Sequence, residues 1–335
     1  MNDNKTLSYT AAGNVPIKML TNPYLAVSIS NTGRIIPIHA QIMPTNKCNL
    51  NCSFCSCSKR DKKKEMSKNQ LKDILETLYS LRCKAVTITG GGEPLMHPYI
   101  NGIIQSFYNK DMSIGLVTNG FLLGKLDQYT LEKLTWCRIS LGDDRNFEAL
   151  KPIIQAAVDK VTLVSTGVSL VDFAFSYVIN EDPNLNSIAE AVEFANKNKF
   201  THVRLVPDLF NVEKIAPKME EIKEWLKFNL IDDSLVIYQT RDEYTTGAEK
   251  CWISMLKPVF DPDGYVYPCC GVQYALAKPG RKMEKSMRIC KAKDFVKYIN
   301  SGKPFSGKKC VKCYYDNYNK YLAIMKEGLK HEVFV

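Results

Sequence analysis

Between residues 41 and 245, extended apolar runs alternate six times with amphipathic segments, and this alternation limits the fold more than any other feature. The extended runs are HAQIMP (39–44), AVTITG (85–90), SIGLVTNG (113–120), CRISLG (137–142), DFAFSYVI (172–179) and HVRLVP (202–207). Between them, EMSKNQLKDILETLYSL places Met66, Leu71, Ile74, Leu75, Leu78 and Leu81 at helical spacing. Further helices are predicted over 99–108, 127–135, 147–159, 186–198 and 218–228, the fourth of these opening on a capping box of Ser187 and Glu190. Strand–helix alternation of this kind implies right-handed crossovers and a parallel sheet. The predicted class is α/β, a partial (β/α)6 TIM-like barrel over 41–245. Residues 1–40 read as an N-terminal extension packing on it, and 246–335 as a small C-terminal cysteine-rich domain with a DPDG hairpin at 258–268. In such barrels the working residues sit where strands end.

The amino terminus MNDNKTLSYTAAGN has no apolar core, and no run of 18 apolar residues occurs. The sequence thus predicts no secretory signal, no membrane span and a cytoplasmic protein. Cytosolic thiols stay reduced, so twelve cysteines point to metal binding or catalysis rather than disulfides.

Four of those cysteines fall in PTNKCNLNCSFCSC (44–57), directly after the first strand. Cys48, Cys52 and Cys55 can bind three corners of a [4Fe–4S] cube, leaving one iron for a ligand. A four-thiolate zinc site with Cys57 is the alternative, but one residue between Cys55 and Cys57 is tight for a zinc pair. At the end of the second strand, GGGEP (90–94) adds glycines that permit close backbone approach and a carboxylate, Glu93, suited to an ammonium group.

C-x3-C-x-aromatic-C followed by GGGEP resembles the signature of the radical S-adenosylmethionine (SAM) superfamily. The resemblance implies that the amino and carboxylate groups of SAM chelate the open iron. An electron from the cluster then yields methionine and a 5′-deoxyadenosyl radical that abstracts a substrate hydrogen. It implies catalytic roles for Cys48, Cys52 and Cys55, and SAM contacts from Phe54 near the adenine and from Gly91, Gly92, Glu93, Asn119 and Ser140. An electron donor such as flavodoxin or ferredoxin is implied as partner. The family's Gly-rich fifth-strand element is not recognisable around 171–179.

Cys251, Cys269, Cys310 and Cys313 resemble the ligand set of the twitch module, a shortened relative of the SPASM domain, and imply a second [4Fe–4S] auxiliary cluster. Four thiolates fill its coordination, leaving electron transfer or structure as its role; zinc is the alternative there. Cys270 could replace Cys269 as ligand. Cys290 reads as an extra ligand, a functional thiol or a loop residue, and Cys83 and Cys137 as core.

The net charge is +10, and residues 246–335 hold 17 Lys and Arg against 8 Asp and Glu. Lys278, Arg281, Lys282, Lys285, Arg288, Lys291 and Lys293 face Glu284 alone in one stretch, which reads as a basic loop over the barrel mouth. Lys282, Lys285 and Arg288 are its candidate substrate contacts, suited to phosphates. Tyr314, Tyr315, Tyr318 and Tyr321 could stack on bases, or simply pack. KRDKKK (59–64) reads as solvated. The lean is towards modification or rearrangement of a nucleotide or nucleic-acid base. A ribosomally made peptide and a sugar or aminoglycoside alcohol are the other substrate classes; no leader-binding domain fits in the first 40 residues. A non-enzymatic iron–sulfur or zinc scaffold is the remaining alternative, and Glu93 with an open iron argues against it.

Overall fold

The alternating segments fold as one parallel sheet with helices on its outer face. The computed structural model describes residues 9, 19, 21–241 and 244–328, so part of the N-terminal extension, residues 1–8, 10–18 and 20, lies outside the described residues. In chain order come α1 (Pro23–Thr32), β1 (His39–Ile42), α2 (Lys68–Ser80), β2 (Ala85–Ile88), α3 (Ile100–Tyr108), β3 (Ser113–Thr118) and α4 (Gln128–Leu131). Then follow β4 (Trp136–Gly142), α5 (Phe147–Val161), β5 (Asp172–Ile179), α6 (Leu185–Lys197), β6 (His202–Pro207), α7 (Lys218–Phe228) and β7 (Val236–Tyr238). The C-terminal part contributes β8 (Val259–Phe260), β9 (Tyr265–Tyr267), β10 (Cys290–Lys291), α8 (Phe295–Ser301) and α9 (Asp316–Glu327).

The sheet order is β10-β9-β8-β1-β2-β3-β4-β5-β6-β7, with β1 to β7 parallel throughout. The seventh strand was not foreseen from the sequence; Val236 and Ile237 are its buried positions. The DPDG hairpin forms, with Phe260 opposite Val266 and Gly264 at φ 86°. Its strand β8 pairs parallel with β1, Gln41 with Val259 and Ile42 with Phe260. The cysteine-rich segment therefore continues the barrel sheet.

Alternation along the strands divides inside from outside. On β4, Cys137, Ile139 and Leu141 are buried under the helices, while Trp136, Arg138 and Ser140 line cavities enclosed by the sheet. Outside, Leu71, Ile74, Leu75 and Leu78 of α2 pack into the core, each such side chain contributing about 1.5–3 kcal/mol. Cys83 and Cys137 are core residues, and burial pushes both thiols up to about 12.

One helix start differs from expectation. The Ser187–Glu190 box does not open α6: the helix begins two residues earlier, because Asn184 Oδ1 caps it by accepting from the Ser187 amide at 3.1 Å. A reciprocal capping box does open α2, where the Gln70 amide donates to Ser67 Oγ and the Ser67 amide to Gln70 Oε1. Among the described residues no helix is long and apolar enough to cross a membrane.

Candidate active site

The loop after β1 and the turn after β2 are locked together at the mouth of the sheet. The Gly92 amide donates to Thr45 O at 3.1 Å and the Glu93 amide to Lys47 O at 2.7 Å. A Cβ on Gly92 would lie 2.0 Å from the Lys47 carbonyl oxygen, and one on Gly91 2.0 Å from Asn46 Oδ1. These glycines are required by the approach of the cysteine loop itself. The rest of that loop is held from three sides. Asp144 accepts from the Ser53 amide at 2.6 Å, and Arg281 donates to Ser53 O at 2.8 Å and to Cys55 O at 3.4 Å. Arg60 is buried and ion-paired with Asp261 at 2.9 Å.

Arg60 overturns the reading of 59–64 as solvated throughout. Its guanidinium also donates to Gln273 Oε1 at 2.8 Å, so the cysteine loop is tied to the hairpin and to the turn after it. That contact joins residues 213 positions apart, which no local pattern announces.

Cys48, Cys52 and Cys55 line one cavity of about 280 Å3 with Phe54, Gly91, Gly92, Glu93, Asn119 and Ser140. Backbone amides already point at two of the sulfurs, Leu50 N to Cys48 Sγ and Cys57 N to Cys55 Sγ, each at 3.4 Å. Arg145 Nη2 stands 3.7 Å from Cys52 Sγ. Burial pushes the Cys48 thiol up, so a thiolate there needs a cationic partner. Among the described residues no three His, Cys, Asp or Glu side chains close around one point as a single metal ion would require. A cube spreads its thiolates over separate irons. The amide-lined sulfurs around a common cavity fit that spread.

Glu93 is 2% exposed and accepts from Thr118 Oγ1 at 2.7 Å, the Leu95 amide at 3.0 Å and the Asn119 amide at 2.7 Å. Burial pushes its carboxyl up, and these donors partly offset the shift. Asn119 in turn donates to Asn49 Oδ1 at 2.8 Å, returning to the cysteine loop. Phe54 packs on Gly142, where a Cβ would meet the ring at 2.6 Å, and the Arg145 guanidinium lies 5.6 Å from the ring centre. The cavity is completed by Arg204 and Arg241, which sequence reasoning missed. The available signal was an arginine at an inward position of the apolar run HVRLVP.

Cys251, Cys269, Cys310 and Cys313 line a second cavity, with Tyr274, Tyr314 and Tyr315. Burial raises all four thiols, Cys251 to about 12 and Cys310 to about 11. Amides of Gly271 and Tyr315 donate to Cys269 Sγ at 3.3 Å and Cys313 Sγ at 3.4 Å. Cys270 turns away, its sulfur 3.3 Å from the Tyr315 hydroxyl, and Cys290 sits on β10 opposite Val266. Tyr315 and Tyr318 are core residues, and Tyr321 is exposed.

The basic stretch does reach the cysteine loop, through Arg281. The three candidate substrate contacts of that stretch are not brought to the cavity. Lys282 and Lys285 are exposed, and Arg288 is committed to Asp263 at 2.8 Å and to the Tyr265 ring.

A parallel partial barrel with this strand-end cysteine loop defines a class of enzyme that works with SAM and a [4Fe–4S] cluster. Residues 42–201 match the Radical SAM superfamily, so the chain carries a radical SAM domain and is an enzyme. GTP 3′,8-cyclase of Helicobacter pylori (strain HPAG1) is 25% identical over 290 residues, 78% of this chain and 89% of that protein. The antilisterial bacteriocin subtilosin biosynthesis protein AlbA of Bacillus subtilis is 25% identical over 254 residues, 70% of this chain and 55% of AlbA. Among solved structures, Streptococcus suis SuiB bound to precursor peptide SuiA shares the fold, with a TM-score of 0.54 at 16% identity. That match covers 77% of this chain and 65% of SuiB. The scaffold alternative falls away.

Proposed function

We propose that Cys48, Cys52 and Cys55 hold the [4Fe–4S] cluster of a radical SAM enzyme that modifies or rearranges a nucleotide or nucleic-acid base. The carrying observation is that the cysteine loop, Glu93 and the guanidiniums of Arg204 and Arg241 line a single cavity. When bound, the cluster supplies the electron that splits SAM into methionine and a 5′-deoxyadenosyl radical, which takes a hydrogen atom from the substrate. The chain's own residues do the placing. Glu93 faces the SAM ammonium, Asn119 and Ser140 serve its ribose and carboxylate, and Phe54 packs towards the adenine. A flavodoxin or ferredoxin delivers the electron in the cytoplasm. Cys251, Cys269, Cys310 and Cys313 hold a second [4Fe–4S] cluster; with four thiolates it is coordinatively full and serves electron transfer or structure.

The nucleotide lean draws on the similarity to the H. pylori cyclase, which runs through 78% of this chain. A peptide substrate is the second reading, favoured by the similarity to AlbA. Anaerobic reconstitution followed by 5′-deoxyadenosine measurement, against panels of nucleoside triphosphates, oligonucleotides and peptides, tests both. Nucleotides should stimulate release. Stimulation by peptides alone would overturn the nucleotide reading, and undiminished release from Cys48→Ala would remove the cluster assignment.

A further inference from the structure

We infer that Arg204 and Arg241, backed by Arg138, form a seat on the floor of the active-site cavity for a phosphate end of the substrate. This rests on the reading of that cavity as the place where substrate meets SAM.

Arg204 projects inward from β6 and donates from Nη2 to Ser176 Oγ on β5 at 3.1 Å, while its Nε is buried without a partner. Arg241 follows β7 and is steadied by Gln239, whose Oε1 accepts from its Nε at 3.2 Å. Arg138 lines the cavity at the opposite end of the lumen, 4.9 Å from the Trp136 ring, and its Nε is also buried and unpartnered. Among the described residues, no carboxylate lies within 4.0 Å of any of the three. Burial, then repulsion from Arg241, pulls Arg138 down to about 10. Burial, Arg138 and Arg241 together pull Arg204 well below the usual guanidinium range.

Three like charges, each on a half-buried residue, are costly to hold together unless an anion joins them. Each guanidinium offers five donors in a rigid fork that matches phosphate oxygens. A phosphate end, with more than one negative charge, answers a multiple cation better than a carboxylate does. The competing occupant is the SAM carboxylate. SAM has another cation beside the cysteine loop, Arg145, whose Nε and Nη1 are buried and unpartnered. Arg204 and Arg241 are thereby left for a different anion.

The test titrates inorganic pyrophosphate into the reconstituted holoenzyme by calorimetry, with and without saturating SAM, at low and moderate ionic strength. Wild type should bind with SAM present, and Arg204→Met and Arg241→Met should each weaken binding about tenfold or more. Lys227→Ser, an exposed charge on α7, should leave it unchanged. Iron content and unfolding temperature check each variant. If Arg204→Met does not fold, Arg204→Lys keeps the charge without the fork and should still weaken binding. A folded Arg204 variant that binds pyrophosphate like wild type would overturn the seat. So would loss of wild-type binding on adding SAM, which would hand the guanidiniums to the SAM carboxylate. Wild type that releases 5′-deoxyadenosine but binds no pyrophosphate sinks the seat alone. Wild type that binds pyrophosphate but never cleaves SAM sinks the radical reading alone.

Discussion

Glu93 does two jobs with one carboxylate. Its oxygens take the hydroxyl of Thr118 and the amides of Leu95 and Asn119, and they also face the cavity. In Glu93→Gln an amide NH2 must confront at least one of those donors, and a buried donor left unsatisfied costs about 1–3 kcal/mol. SAM affinity, measured anaerobically by calorimetry, should fall about tenfold or more; unchanged affinity would remove Glu93 from the ammonium contact. The pH dependence has a definite sign. Because burial pushes the Glu93 carboxyl up, it takes a proton on acidification before an ordinary glutamate near about 4.3 does. Wild-type SAM binding should therefore weaken as pH falls towards that raised value, whereas binding to Glu93→Gln should be flat there. Glu93 was legible in the sequence because its motif is contiguous. Arg204 and Arg241 were not, since what makes them matter is the absence of a nearby described carboxylate, a property of three dimensions.

The glycines of the turn after β2 line the cavity and also carry a packing requirement. Gly92 makes room for the backbone of the cysteine loop and Gly91 for the Asn46 and Arg60 side chains, so Gly92→Ala should displace that loop and lower bound iron by about four atoms per chain. Iron assay after reconstitution decides it, and full iron in Gly92→Ala would contradict the packing argument. The other brace is Arg60–Asp261, a buried pair whose side chains are 2% and 4% exposed. Burial pushes Asp261 up to about 6 even beside Arg60. A raised carboxyl means the folded chain holds a proton that the unfolded chain has released. Stability therefore falls as pH rises from the ordinary carboxylate range to about 6, and Arg60 limits the loss. In Arg60→Met the uncompensated Asp261 should cost about 3–5 kcal/mol at neutral pH. That deficit should shrink on acidification towards about 6 and on adding Asp261→Asn. Thermal unfolding against pH measures both; a pH-independent deficit would deny the pair its role. Six strands were legible because apolar alternation and strand-end motifs are local. The three-residue β7 is too short to show a period, and the union of β8 with β1 spans more than two hundred positions.

Through that union the sheet runs unbroken from β7 to β10, with the two cysteine cavities on one framework. A hydrogen-bonded path also connects them: Arg241 donates to Gln239, and Gln239 Nε2 donates to the Tyr314 hydroxyl at 3.2 Å, on the wall of the second cavity. Spacing alone left Cys269 and Cys270 interchangeable, because adjacent residues differ only in the direction their side chains take. The fold separates them. Cys269 lines the cavity with Cys251, Cys310 and Cys313, whereas the Cys270 sulfur is turned to the Tyr315 hydroxyl at 3.3 Å. Two cubes require about eight irons per chain and one requires about four. Cys269→Ser should therefore fall to about four irons while keeping the spectroscopic signature of the cluster at Cys48, Cys52 and Cys55. Cys270→Ser should stay at about eight, because it removes a contact to Tyr315 and no ligand. The reverse pattern, full iron in Cys269→Ser and half in Cys270→Ser, would exchange the two assignments, and zinc in place of the missing iron would make the second site a structural metal centre.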